Sequence, residues 1–162
     1  MKIIIIGVGS ENFGDDYIGL AILKKIKERN FIKNANFIEI DKTSLNIIDY
    51  ISENNLILII DAVKMGLNPA EFKIFNINDL KDNTTKNSFT SSHQFGILEN
   101  LYLAKSIGLK VENIFIFGVE PKKIFINEDL SDELKRNLEI YCKKIEEFIE
   151  QKQNHYLYHT IL

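Results

Sequence analysis

The sequence predicts an α/β fold, with a mostly parallel sheet covered by helices on both faces. Two observations predict it. Residues 2–8, 56–60 and 113–119 are nearly unbroken apolar runs rather than period-two alternations, as expected of strands buried on both sides. Segments with helical period separate these runs, which is the order of an α/β chain. The 162 residues are 45% hydrophobic, enough for one sizeable core near the usual single-domain length of about 150.

Taken in order, residues 2–8 form the first strand, ending in a glycine-rich loop. Over 16–29, Ile18, Ala21, Ile22 and Ile26 share one side of a helix. Residues 36–40 read as a second strand. Thr43 or Ser44 can cap a helix over 45–52, with Leu45, Ile48 and Ile51 facing inward. Residues 56–60 make a third strand closed by Asp61, and 71–77 a fourth. The polar stretch 81–91 reads as a loop. Ser91 or Ser92 can cap a helix that runs to about Ile107 and stops at Gly108. Residues 113–119 form the fifth strand. Ser131 opens a last helix with the stripe Leu134, Leu138, Tyr141, Ile145 and Phe148.

Composition excludes several classes of function. The net charge of -3 gives no electrostatic pull toward nucleic acid or anionic lipid. Cys142 is the single cysteine, so no intrachain disulfide is possible and a reducing, cytoplasmic setting is expected. The longest apolar runs fall far short of the roughly 20 residues that span a bilayer, so no membrane insertion is expected. The first run leads into Glu11, Asp15 and Asp16, unlike a secretory signal. Arg29 and Arg136 are the only arginines among 20 basic residues, which leaves little for bidentate grips on phosphate or carboxylate.

In open α/β sheets, sites gather at the carboxyl ends of strands. Three features fall there: the loop from Gly7 and Gly9 through Asp15 and Asp16, Asp61 after the third strand, and His93 at a helix start. Gly7 and Gly9 match the first two glycines of a dinucleotide fingerprint, with Glu39 or Asp41 as a ribose acid. Asn12 stands where the third glycine belongs, however, and two carboxylates at the helix N-terminus would repel a pyrophosphate. Asp15 and Asp16 can be capping residues, or one can cap while the other points into the cleft. An acid such as Asp61 after five apolar residues costs desolvation unless it is partnered. His93 is either a structural helix-start residue or a neutral imidazole ready to ligate. Two carboxylates and one imidazole suit a borderline divalent metal with open positions.

Other nucleophiles are thinly supported. Cys142 lies beside an apolar stripe, where a buried thiol is inert. Ser92, His93 and Asp61 supply the residue types of a triad, yet no nucleophile elbow surrounds them. His155 and His159 have i, i+4 spacing in a terminus that reads as loosely packed or partner-contacting.

Taken together, the motifs resemble those of the hydrogenase maturation peptidases, which trim the C-terminus of the [NiFe]-hydrogenase large subunit. The matching stretches are Gly7-Val8-Gly9, Gly14-Asp15-Asp16-Tyr17-Ile18-Gly19, Ile60-Asp61-Ala62-Val63-Lys64-Met65-Gly66, Ser91-Ser92-His93-Gln94-Phe95-Gly96 and Gly118-Val119-Glu120-Pro121, followed by Leu130-Ser131. The likeness covers about residues 1–150 as a single domain and leaves 151–162 as a tail. It implies a three-layer αβα sandwich around a five-stranded mixed sheet with one antiparallel strand, placed at 71–77. It also implies that Asp16, Asp61 and His93 are the nickel-contacting and catalytic positions, with Gly7, Gly9 and Asp15 supporting them. Nickel would arrive already inserted in the large-subunit precursor, acting as a checkpoint and a possible Lewis acid. The family is classed as aspartic-type, although no pepsin-like dyad is involved. Ser10 replaces the family's asparagine, Tyr17 a small residue, and Pro69-Ala70 a Pro-Gly; none of these removes a proposed ligand. The alternatives are a non-catalytic module that binds nickel or the precursor, and a dinucleotide-binding enzyme.

Overall fold

The computed structural model describes residues 2–40, 47–51, 55–79, 90–91 and 97–160. Five strands form the sheet in the order β2-β1-β3-β6-β4. They are β1 (Lys2–Val8), β2 (Ala35–Ile40), β3 (Asn55–Lys64), β4 (Phe72–Asn76) and β6 (Ile114–Val119). A two-residue strand, β5 (Thr90–Ser91), pairs with β3 off this path. β1 runs parallel to β2 and β3, and β3 parallel to β6. β4 is antiparallel to β6, from Phe72 opposite Val119 to Asn76 opposite Phe115, which is the reversal expected at 71–77. The connection after β3 is too short for a parallel crossover. It turns through Gly66 and Ala70, both at positive φ (72° and 71°).

The unbroken apolar runs have a direct structural counterpart: successive side chains of a strand enter two different cores. Ile3 and Ile5 of β1, with Leu56, Leu58 and Ile60 of β3, face helices α1 (Ile18–Arg29) and α3 (Asp132–Thr160). Ile4 and Ile6, with Ile57 and Ile59, face α2 (Ile97–Ser106) through Ile97, Leu101 and Ala104. The result is the expected αβα sandwich. Arg29, one of the two arginines, links two of its helices from the surface. Its Nε and Nη2 donate to the two carboxylate oxygens of buried Glu146 (2.7 Å each), and its Nη1 donates to Glu139 (2.8 Å). This fork ties the end of α1 to α3.

The structure corrects several local expectations. Residues 47–50 of the expected 45–52 helix form a 3-10 turn, in keeping with the three-residue spacing of the apolar positions Leu45, Ile48 and Ile51. Ser91 is not a helix cap; it lies in β5 opposite Val63, within the stretch expected to be loop. β3 does not end at Asp61 but continues to Lys64, because β6 and β5 supply partners beyond the last β1 pair, Gly7 with Ile60. α3 continues to Thr160, since neither glycine nor proline interrupts 132–160. Asp41, Thr43, Ser44, Leu45, Ser92 and His93 lie outside the described residues.

Candidate active site

The loop after β1 can form only because two glycines let the backbone come close. A Cβ on Gly9, whose φ is 153°, would lie 2.2 Å from the Asp16 carbonyl oxygen. A Cβ on Gly19 would lie 2.2 Å from the Val8 oxygen and 2.3 Å from the Ile60 oxygen, so the start of α1 rests directly on the carboxyl ends of β1 and β3. Gly14 to Tyr17 make a 3-10 turn that leads into α1.

Asp15 and Asp16 sit side by side in this turn, and both are fully buried. Neither caps the helix it precedes, so the capping reading of either residue fails. Asp15 reaches across the chain instead. Its Oδ2 accepts from the Lys122 and Lys123 amides (2.8 and 2.9 Å), and its Oδ1 accepts from the Ser131 amide (2.7 Å) at the N-terminal end of α3. Three N–H donors, one of them at a helix N-terminus, satisfy one buried carboxylate. The loop and the 122–128 segment are stitched further by Gly14 N–H to the Glu128 oxygen, Asp15 N–H to the Lys123 oxygen, and Asn127 N–H to the Asn12 oxygen (2.8, 2.9 and 2.7 Å).

Asp16 faces the other task. Its Oδ2 accepts the Ser10 amide at 3.0 Å, a bond made by backbone and so indifferent to the side chain at position 10. Asp61, 1% exposed, lies on β3 one residue past the last pair with β1 and opposite Gly118 of β6. It shares the α2 face of the sheet with Ile57, Ile59 and Val63. The turn carrying Asp16 and the strand carrying Asp61 thus meet at one sheet edge. Ser91, two residues before His93, pairs with Val63, two residues after Asp61. Among the described residues no three His, Cys, Asp or Glu side chains gather as a metal cluster.

The loop amides leave little for a pyrophosphate. Those of Gly9, Ser10, Gly14, Asp15 and Asp16 all donate to protein acceptors, which removes the anion cradle that a dinucleotide needs. Tyr17 is engaged along the helix: Lys24 Nζ donates to its hydroxyl at 3.0 Å and to Glu11 at 2.7 Å, and this pairing raises the lysine's pKa.

One residue at this edge was missed in the sequence. Glu120, mostly buried, accepts the amides of Met65 (2.6 Å) and Leu67 (3.1 Å), fixing the turn that follows Asp61's strand. An acid directly after an apolar strand was its signal, the same one that marked Asp61. Cys142 is fully buried, and burial pushes its thiol up to about 11, as befits an inert core thiol. His155 is exposed on α3.

The sequence model of the hydrogenase maturation protease family, HycI, matches residues 20–148. The chain belongs to that family. It is therefore a peptidase, and the match spans Asp61 and His93 while starting just after Asp16. Among curated hydrogenase proteins, it is 29% identical over 161 residues to a Methanocaldococcus jannaschii protein named as a hydrogenase maturation protease, covering 93% of this chain and 89% of that one. It is 19% identical to the hydrogenase expression/formation protein HupD of Bradyrhizobium diazoefficiens, covering 91% and 79%. Among solved structures, the hydrogenase maturating endopeptidase HybD of E. coli superposes with a TM-score of 0.76 at 16% identity, covering 94% of each chain. The HybD maturation protease of Thermococcus kodakarensis gives 0.69 at 24%, covering 91% and 99%. These likenesses establish the maturation-protease fold for the whole sandwich. No helix among the described residues is long and apolar enough to cross a membrane.

Proposed function

We propose that this hydrogenase maturation protease is an endopeptidase that removes the C-terminal peptide of a [NiFe]-hydrogenase large-subunit precursor. On this reading Asp16, Asp61 and His93 meet nickel carried by that precursor. The observation that carries the reading is the pair of buried carboxylates, Asp16 and Asp61, brought to one sheet edge in a chain of this family. A cation shared by two buried acids at one sheet edge offsets part of their desolvation cost. Two carboxylate oxygens and an imidazole suit a borderline divalent ion. The pairing of Ser91 with Val63 supports adding His93, because it brings the chain just ahead of that residue alongside Asp61's strand.

In this scheme nickel is part of the substrate, a Lewis acid that polarises oxygen at the scissile bond. The enzyme's own residues hold position. Ser10 N–H fixes one oxygen of Asp16, while Asp15 and Glu120 hold the two backbone segments that flank the acids. The aspartic-type classification fits this use of carboxylates, and the cytoplasm is where a precursor under assembly would be met.

The test is to mix the protein with nickel-loaded and nickel-free large-subunit precursor and read the products by mass spectrometry. Loss of one C-terminal peptide from the loaded form alone is expected. Equal cleavage of both forms overturns nickel recognition. Stoichiometric binding with no mass loss, where another processing enzyme cuts the same precursor, overturns the activity in favour of a binding module.

A further inference from the structure

Phe125 and Ile126 are 65% and 67% exposed, the two most exposed large apolar side chains among the described residues. They sit at the tip of the 122–128 loop, the segment that Asp15 and the Gly14 turn hold against the candidate site. The other strongly exposed apolar residues lie elsewhere. Leu103 and Ile107 are at the far end of α2, Phe31 just past α1, Ile140 in the first half of α3 and Leu157 near its end.

The loop is not a loose one. Phe13 and Glu128 form a β-bridge, Asn12 and Asn127 both adopt left-handed backbone (φ 65° and 60°), and the Asn127 amide closes onto the Asn12 oxygen. Two large apolar side chains are thereby presented on a fixed support, so that docking onto them orders little new chain. The charges at the base of the loop are already neutralised within the protein: Lys122 pairs with Glu133 and Lys123 with Glu128. A partner for this tip is therefore recognised by apolar contact rather than by charge.

We infer that Phe125 and Ile126 are the docking contact for an apolar surface on the folded body of the protein substrate, beside the segment that enters the site. This rests on the reading given under Proposed function. It assigns recognition to two places: the carboxylate edge meets the scissile region, and the loop tip grips the precursor's surface about one loop's length away.

The test compares the wild-type chain with the double variant Phe125→Ser/Ile126→Ser. Both side chains are exposed, so circular dichroism and melting temperature are expected to stay unchanged. KM for nickel-loaded precursor is expected to rise about 10- to 100-fold at unchanged kcat, the factor that burial of one or two such side chains supplies. The same loss is expected in precursor binding measured on an Asp16→Asn background. A folded double variant that matches wild type within twofold in both KM and binding overturns the inference. So does a wild-type dimer that the double variant dissociates while precursor binding is unchanged, since the patch then serves a second copy of the chain. If wild type leaves the precursor uncut, the proposed activity fails, and the binding comparison still decides the docking surface.

Discussion

Replacing Asp15 with alanine should lower stability by about 3–6 kcal/mol, whereas replacing its neighbour Asp16 with asparagine should change stability by about 1 kcal/mol and abolish cleavage. The first figure comes from three amides. Ser131 N–H is buried, and once orphaned it costs the full desolvation penalty of about 1–3 kcal/mol. The Lys122 and Lys123 amides are partly buried, so water recovers some of what they lose, leaving about 1–1.5 kcal/mol each. That sum is a large fraction of a typical domain's 5–15 kcal/mol. The second figure is small because an amide oxygen can still accept the Ser10 N–H while the charge that would face the metal is gone. Urea unfolding followed by far-UV circular dichroism suits a chain without tryptophan, and precursor cleavage is read in parallel. An Asp15→Ala protein less than about 1 kcal/mol below wild type would refute the assignment of the latch. An Asp16→Asn protein that cleaves normally would remove Asp16 from the chemistry.

Other outcomes follow from single contacts. Gly19→Ala should destabilise by about 1–3 kcal/mol or more, because the new methyl meets two backbone oxygens at 2.2 and 2.3 Å and α1 must move off the sheet; a urea midpoint equal to wild type would contradict that approach. Glu120→Ala should speed hydrogen exchange at the Met65 and Leu67 amides selectively, and unchanged protection there would show that the turn is held by something else. Cys142 and Tyr141 are both raised by burial, the thiol from 9.0 to about 11 and the phenol from 10.0 to about 12. The folded state therefore binds more protons than the unfolded one across that alkaline window, and stability should fall as pH climbs from about 9 to 12. Cys142→Ala should flatten the lower part of this slope, and an identical slope would argue against a buried thiol.

The layers of the fold were readable because β1, β3 and β6 bury both faces, and the resulting apolar runs need no knowledge of their partners. β5 left no such trace. Thr90 and Ser91 pair with β3, and polar residues in a polar stretch carry no period that a sequence would show. The helix expected over 45–52 failed on a finer point, since apolar residues three apart serve a 3-10 turn as well as an α-helix. At the site, glycine spacing and the acidic pair marked the right loop, but adjacent aspartates look alike in a sequence. What separates Asp15 from Asp16 is that its partners are amides 107, 108 and 116 positions away. Backbone donors at that distance have no signature in side-chain identity.

Those separations also impose an order on synthesis. A nascent chain that has emerged only as far as β6 already carries Asp16, Asp61 and position 93, but not Lys122, Lys123 or Ser131. The turn bearing Asp16 would then lack the amides that anchor its neighbour, and its geometry would be left to local preference. Because both segments must be present for a contact this long in sequence, Asp15 finds its three amides only once the chain through Ser131 has been made.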